Sequence, residues 1–230
     1  MPPTWLVVLS WVFLAGAFAS AAVIAADIFL RGYRQPMRVM EAVWPVTALY
    51  LGPLAIWGYA AWGRPRSRRW LGDHGRDEPP GKPGWATTAV GVSHCGAGCT
   101  LGDIVAEFAV FGLAVTLAGE RLFAEYVGDY VLAIALGLVF QYFAIAPMRG
   151  LGLREGIAAA AKADIASLTA FEVGLFGWMA LMSFVLFPDP HLLPTSPVYW
   201  FMMQIGMALG FLTAFPVNSW LIAHGIKEAM

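Results

Sequence analysis

The sequence predicts an all-α integral membrane protein, a helical bundle with about six transmembrane helices. Hydrophobic residues make up 59% of the 230 positions and charged residues only 13%, whereas a soluble domain carries about 25% charged residues because its surface must be solvated. Ten tryptophans and seven tyrosines suit a chain anchored at two membrane–water interfaces. The net charge of −1 gives no reason to expect a nucleic-acid partner.

Six apolar segments are long enough to cross a bilayer core of about 30 Å, and we expect them to form one transmembrane domain over residues 1–230. They are residues 5–30, 39–62, 97–118, 130–148, 165–187 and 198–222. The first contains "AFASAA", which resembles a signal cleavage site, but no Lys or Arg precedes it and its apolar run is too long for an ordinary signal sequence. We therefore predict a retained helix. Pro45 and Pro53 are compatible with a span because packed neighbours can satisfy the freed carbonyls.

Three connections lie between the later spans. Residues 63–92 are rich in Arg, Gly and Pro and predict a polar loop rather than a domain. Residues 119–129 are acidic and aromatic, which suits a short connector at the interface. Residues 149–164 predict a glycine-rich turn and a helical start to span five.

The Lys and Arg residues favour one orientation of this topology. With six spans, the face that holds both termini carries ten basic residues and the other face carries four. The positive-inside rule then places both termini in the cytoplasm, in the inner (cytoplasmic) membrane. This topology leaves Arg31, Arg34 and Arg38 on the outside.

The stretch "SHCGAGCTLGD", residues 93–103, concentrates groups that can bind metal. On a helix, residues four apart share a face, so the two thiols and the acids that follow them form one stripe. Thiolates are soft ligands that favour Cu(I) or Zn(II), and imidazole suits both ions. The predicted metal ligands are His94, Cys95, Cys99 and Asp103, with Glu107 and Glu172 as weaker candidates. The expected cofactor is therefore a copper or zinc ion.

Other interpretations of the same stretch stay open. Thr100 with Asp103 three residues later matches a capping box, which would make residues 94–99 a glycine-rich loop before the helix. Free cysteines are also common as small buried hydrophobic residues. Disulfide exchange between Cys95 and Cys99 is less favoured, because a spacing of about 6.2 Å between Cα atoms lies near the upper end of disulfide geometry and the cytosol keeps thiols reduced.

Acidic residues also occur deep inside the predicted spans. At ~1.5 Å per residue, Asp103 and Glu172 lie about 16 and 12 Å from the membrane surface. Gln141 reaches a similar level from the other side. We expect Cys99, Asp103, Gln141 and Glu172 to meet in the middle of the bundle, where unpaired charge is costly. The acids would share protons, bind a cation or remain neutral through desolvation. They could line a proton or cation route, or only hold helices together through hydrogen bonds.

Three stretches carry a resemblance to a known family: "SHCGAGCTLGDIVAEF", "FAIAPMRGLG" and "YWFMMQIGMALGFLTAFPVNSWLIAHGIKEAM". They resemble a bacterial family of multi-pass membrane proteins labelled domain of unknown function 4396, over about residues 85–230. The resemblance implies candidate functional positions at His94, Cys95, Cys99, Asp103 and Glu107. Some members are named copper oxidases, but this chain has no soluble copper domain or blue-copper ligand set, so its sequence does not support an oxidase.

Three functions remain consistent with these patterns. The leading hypothesis is binding or transport of copper or zinc through the two thiols, together with a metal-handling partner protein. The first alternative is a non-enzymatic membrane scaffold or accessory subunit, whose polar residues only pack helices. The second is a thiol–disulfide redox protein. The sequence contains no P-loop, dinucleotide-binding fingerprint, HExxH or nucleophile elbow, so it predicts no enzyme class.

Overall fold

The regular elements are all helices in residues 2–228, the part of the chain that this computed structural model describes, apart from the side chains of residues 147 and 148. They are α1 (Thr4–Phe29), α2 (Met40–Leu51), α3 (Pro53–Gly58), α4 (Arg68–Asp73), α5 (Gly84–Gly112), α6 (Arg121–Arg149), α7 (Leu153–Leu181) and α8 (Pro197–Ala223). A π-helical turn, Tyr59–Gly63, and a 3₁₀ turn, Arg64–Arg66, extend α3, and a second π-helical turn, Met182–Leu186, extends α7. The predicted all-α class is confirmed.

Within the described residues, five helices are long and apolar enough to cross a membrane, namely α1, α5, α6, α7 and α8. The chain is thus a multi-pass membrane protein. Three of these helices begin nine to thirteen residues before the predicted spans, at Gly84, Arg121 and Leu153. The predicted loop 63–92 and the connector 119–129 are therefore partly helical. Hydropathy placed these starts too late because the first turns carry small or polar residues.

Residues 39–62, predicted as the second span, turn back halfway through the bundle. α2 ends at Leu51, and Gly52 adopts a positive φ of +53° that favours glycine. Pro53 then begins α3 and cannot donate a hydrogen bond to the carbonyl of Leu49. Gln204 of α8 donates to that carbonyl instead, with 2.7 Å between Nε2 and O. Side-chain donation of this kind lets an interrupted helix lie at membrane depth.

The end of α3 returns to the level at which α2 began. The ring of Trp44 packs edge-on against Tyr59, with 5.7 Å between the ring centroids. The Tyr59 hydroxyl donates to Asp27 near the end of α1, over 2.9 Å, and Arg64 pairs with the same carboxylate at 3.2 Å. On the same face, Arg34 binds Glu41 through two hydrogen bonds of 2.7 Å. α2 and α3 therefore form a re-entrant hairpin that does not cross the bundle.

The re-entrant hairpin changes the relation between the two termini. With five crossings, α1 begins at one end of the bundle and α8 finishes at the other, where Ile222 lies beside Gly91 near the start of α5. The described chain therefore differs from the predicted arrangement with both termini on one face. We call the end that holds residues 30–39, 63–83 and the end of α8 the basic face, and the other end the opposite face.

Thirteen of the 14 Lys and Arg residues lie at the basic face, and only Arg121 lies at the opposite face. The thirteen are Arg31, Arg34, Arg38, Arg64, Arg66, Arg68, Arg69, Arg76, Lys82, Arg149, Arg154, Lys162 and Lys227. Arg31, Arg34 and Arg38, which the six-span topology placed on the outside, lie at the same face as the other ten.

α5 and α6 pack with their backbones in close contact. A Cβ atom on Gly98 would lie 2.6 Å from the Cα of Gly137, and one on Gly102 would lie 2.5 Å from the backbone nitrogen of Ala133. Both distances are shorter than a Cβ atom can make, and the obstructing atoms are backbone. The backbones of α5 and α6 are consequently in van der Waals contact at these two glycines.

Replacing Gly102 by Ala should lower the stability of the folded protein by about 1–3 kcal/mol, because the two helices must separate to admit the methyl group. Thermal unfolding in detergent measures this effect. Gly177→Ala in α7 is the matched control, since nothing lies within 4 Å of the methyl group it adds. Equal melting temperatures for the two variants would contradict the close contact between α5 and α6.

Candidate functional site

The HC-x3-C stretch lies in the middle of α5 rather than in a loop before it. His94, Cys95, Cys99 and Asp103 are all fully buried, with 0% exposure. The helix begins ten residues before His94, and its N-cap is Pro83. Thr100 is therefore an interior helical residue, and the predicted capping box with Asp103 is wrong.

Four carboxyl groups from three helices form an acid cluster, which consists of Asp103 and Glu107 of α5, Asp129 of α6 and Glu172 of α7. Each side chain is at most 1% exposed. Asp103 neighbours Glu172 and Glu107, and Asp129 neighbours the other three acids. None of their eight carboxyl oxygens has a hydrogen-bond partner among the described residues. The nearest donors are the hydroxyl of Tyr199 and the guanidinium of Arg121 beside Glu107, and the thiol of Cys99 beside Glu172. Four buried carboxyl groups thus have fewer donors and positive partners among the described residues than buried carboxylates normally have.

The acid cluster continues to the opposite face through Glu125. This residue neighbours Asp129 and Glu107, and its carboxylate accepts a 2.6 Å bond from Arg121 at the start of α6. The guanidinium of Arg121 also donates to the carbonyl of Leu192 in the α7–α8 connection, over 2.8 Å. Because the Arg121 side chain is 25% exposed, this end of the acid cluster approaches solvent.

In the other direction, the acid cluster continues through the two thiols. Cys99 neighbours Glu172 and Asp103. One turn earlier, the Sγ of Cys95 lies 2.9 Å from the hydroxyl oxygen of Ser167 on α7. Asn218 of α8 donates a hydrogen bond to the same hydroxyl. Between the acid cluster and the basic face, the buried polar groups are therefore the two thiols, the hydroxyl of Ser167 and the amide of Asn218.

A buried ion pair closes the series at the basic face. Lys227 follows α8 and extends back into the bundle, where its Nζ lies 2.5 Å from Oδ1 of Asp164 on α7. Both side chains are 0% exposed. Burial by itself would lower the pKa of Lys227, but the carboxylate of Asp164 together with the nearby thiols of Cys95 and Cys99 holds the pKa above its usual value. Cys95 is a further neighbour of this lysine.

These groups together make a continuous series through the bundle, which we call the polar file. From the opposite face to the basic face its members are Glu125, Asp129, Glu107, Asp103, Glu172, Cys99, Cys95, Ser167, Asn218, Asp164 and Lys227. The spacing of four along α5 advances the polar file by about 6 Å per step. From Glu125 to Asn218 each member neighbours the next, and the pair of Asp164 and Lys227 joins the series beside Cys95.

The predicted metal ligands do not converge. Within residues 2–228, no group of three or more His, Cys, Asp and Glu side chains is placed to hold one metal ion. The ring of His94 faces Phe140 of α6, with 6.2 Å between centroids, whereas Cys95 contacts Ser167. Of the predicted set, the structure brings Cys99, Asp103 and Glu172 near one another, with Glu107 beside Asp103. The copper or zinc site stays a prediction.

The predicted meeting of buried polar groups at mid-bundle is confirmed in part. Cys99, Asp103 and Glu172 are neighbours, as their depths suggested. Gln141 is also fully buried, but its amide forms no hydrogen bond to any described residue. Cys95 and Cys99 are both free and buried, so the redox interpretation also stays a prediction.

Sequence reasoning missed several members of the polar file. Glu125 and Asp129 were assigned to an interfacial connector, although their spacing of four after Arg121 repeats the spacing of the acids on α5. That repetition is a signal that could have found them. Asp164 and Lys227 are 63 residues apart, and no local pattern in the sequence indicates that they pair.

Comparison with known protein families shows what this chain resembles. A family model described as "Domain of unknown function (DUF4396)" matches residues 84–227, which is more than half of the chain. No curated protein and no solved structure matches. The matched segment begins at the first residue of α5 and ends at Lys227, so it contains every member of the polar file and excludes α1 and the re-entrant hairpin.

Proposed function

This chain belongs to the family described as domain of unknown function DUF4396, and we propose that it moves protons across the membrane along the polar file. The observation that carries this proposal is the acid cluster, four buried carboxyl groups whose oxygens have no hydrogen-bond partners among the described residues. The series of polar neighbours from Glu125 to Lys227 supplies the route.

Electrostatics favours protons as the species that neutralise the acid cluster. An isolated charge at the centre of a bilayer costs ~2.5–3.5 kcal/mol on insertion scales, and neighbouring carboxylates cannot all ionise without a compensating charge. A metal ion would need several ligands around one point, which the described residues do not provide. A proton needs only one donor and one adjacent acceptor at each step. Pairs of neighbours suffice for a relay.

The part of the polar file near the basic face controls how protons leave. The thiol of Cys95 and the hydroxyl of Ser167 can each donate or accept across their 2.9 Å contact. The ion pair of Lys227 and Asp164 then separates this contact from the basic face. A cation at that position repels a second positive charge, so proton release requires the pair to loosen.

The charge distribution supports an orientation with the basic face in the cytoplasm. The basic face carries thirteen of the 14 Lys and Arg residues. The positive-inside rule associates such an excess with the cytoplasmic side. The N-terminus then lies on the external side and protons enter near Arg121.

Reporter fusions test this orientation. A reporter inserted at residue 75 and another at the C-terminus should both read cytoplasmic, and one at the N-terminus should read external. The N-terminal reporter is the informative one, because a six-span topology predicts the opposite result there. A cytoplasmic reading at all three positions would contradict the re-entrant hairpin.

Proton flux in proteoliposomes tests the proposed function. The purified protein should carry protons down an imposed membrane potential, as followed by a pH-sensitive dye trapped in the vesicles. Glu107→Gln should reduce this flux by about 100-fold, the lower range for loss of a positioned proton-transfer group. Glu120→Gln, which changes an exposed acid at the opposite face, should leave it unchanged. Equal flux in parent and Glu107→Gln would exclude Glu107 from the route.

The soft-metal, scaffold and thiol-redox hypotheses remain alternatives. Cys99 beside two carboxyl groups is the arrangement that most favours a metal. Metal content that falls on replacing both cysteines by Ser, together with an absence of proton flux in the parent, would favour the metal hypothesis over the proposed relay.

A further inference from the structure

A cavity of about 190 Å³ opens at the basic face between the re-entrant hairpin and the start of α5. We call it the interfacial pocket. Its walls include Gln35, Trp44, Trp62, Arg66, Lys82 and Glu228. None of these residues belongs to the polar file. The proposed proton route therefore does not explain why the pocket is present.

Two cations in the interfacial pocket lack negative partners. Neither Arg66 nor Lys82 forms an ion pair with any residue that the structure describes. By contrast, Arg31, Arg34 and Arg64 at the same face are all paired with carboxylates.

The ammonium group of Lys82 is also poorly solvated. Its Nζ is buried and has no hydrogen-bond partner among the described residues. Burial, and then the charge of Arg66, lowers the pKa of Lys82 to about 8. Trp44, 3% exposed, has an indole N–H that likewise lacks an acceptor. The pocket therefore presents unsatisfied donors and an excess of positive charge.

The backbone adds to this positive potential. α5 begins at Gly84, directly after Lys82 and Pro83, and its N-cap supplies no side-chain hydrogen bond. Since Pro83 accepts from the amides of Ala86 and Thr87, the amides before them remain free, as at other helix N-termini that attract anions. Glu228 is the one acid in the pocket wall, and Arg149 neutralises it over 2.6 Å.

The apolar part of the pocket indicates where an anion would come from. Met37, Met40 and Trp62 line the pocket and pack in the apolar cluster between α1, α2 and α5. Trp62 also packs against Trp57 and Trp85, with ring centroids 4.7 and 4.9 Å apart. Tryptophans grouped in this way mark the headgroup level of a membrane. A ligand with a phosphate and an attached apolar chain fits both parts of the pocket.

We propose that the interfacial pocket binds the phosphate of an anionic phospholipid, held by Arg66, Lys82 and the first free amides of α5. The bound lipid fastens the re-entrant hairpin to the start of α5. This assignment does not depend on the proton route.

Native mass spectrometry of the full chain in a neutral detergent tests the proposal. The parent should bind phosphatidylglycerol at least about tenfold more tightly than phosphatidylcholine, as two charge contacts of ordinary strength imply. The double variant Arg66→Gln, Lys82→Gln should lose this preference. The control Arg68→Gln, Arg76→Gln removes the same charge from exposed positions on the same face and should keep it.

Three results would overturn the proposal. If the control variant lost the preference for phosphatidylglycerol as fully as the double variant does, the lipid would be attracted to the basic face in general and not bound in the pocket. Equal binding of the two lipids by the parent would remove the site. Displacement of phosphatidylglycerol by inorganic phosphate at equal concentration would assign the pocket to a free anion instead of a lipid.

The pH dependence of lipid binding tests the proposal even if the double variant fails to fold. Raising the pH from about 7 to about 9.5 should weaken phosphatidylglycerol binding to the parent, because Lys82 loses its charge near pH 8. Lys82→Arg should bind equally well at both values, since arginine keeps its charge. An identical pH dependence in parent and Lys82→Arg would contradict a role for Lys82.

Discussion

Lys227→Met should lower the free energy of unfolding by about 3–5 kcal/mol, because it leaves the charge of Asp164 buried without a partner. Both side chains of this pair are 0% exposed. The second carboxyl oxygen of Asp164 already has no hydrogen-bond partner among the described residues. Loss of the ammonium group would remove the only side-chain donor to this carboxylate among the described residues, and thermal unfolding in detergent should register the loss.

Two controls separate this effect from general damage to the C-terminal segment. The double variant Lys227→Met, Asp164→Leu removes both charges and should recover most of the lost stability, since well-packed apolar residues replace a buried ion pair at little cost. Arg149→Met breaks a pair whose side chains are 48% and 36% exposed, and should cost only ~0–1 kcal/mol. A melting temperature of Lys227→Met equal to that of the parent would show that the pair does not stabilise the fold.

Asp103→Asn should abolish proton flux without destabilising the protein. No hydrogen bond is lost on substitution, because neither carboxyl oxygen of Asp103 has a partner among the described residues. Its acidic neighbours are Glu172 and Glu107, so a neutral amide of the same shape removes repulsion within the acid cluster. We expect stability to be unchanged or to rise by about 1–2 kcal/mol, while flux falls by about 100-fold or more.

Two measurements on the same preparation check this prediction. Thermal unfolding in detergent gives the stability, and dye-reported flux in proteoliposomes gives the activity. If Asp103 served only the architecture of α5, the variant would melt lower and conduct as the parent does. That outcome would remove Asp103 from the polar file.

Hydropathy predicted the class of fold but not the path of the chain near its start. Residues 40–63 are equally apolar whether they cross the bundle or turn back within it. The only local indications of the re-entrant hairpin are Gly52 and Pro53, and a proline is also tolerated in a straight span. The contacts of Asp27 with Tyr59 and Arg64 decide between the two paths, and they join residues more than thirty positions apart.

The sequence predicted mainly the part of the candidate site that lies on a single helix, α5. The spacing of four from Cys95 to Glu107 indicated a single polar stripe, and depth placed Glu172 beside it. Asp129 escaped prediction because polar residues near a span boundary resemble a connector. Arg121 and Glu125 form an ion pair there, which lets α6 continue to the opposite face with its acids buried.

The decisive measurement is potential-driven proton flux through the parent and Asp103→Asn, reconstituted at equal amounts of folded protein in matched vesicles. A proton route through the acid cluster predicts a dye signal above that of empty vesicles for the parent and no such signal for the variant, while the variant melts at or above the temperature of the parent. Flux in the parent no greater than in empty vesicles, or equal flux in parent and variant, would contradict a proton route through the acid cluster.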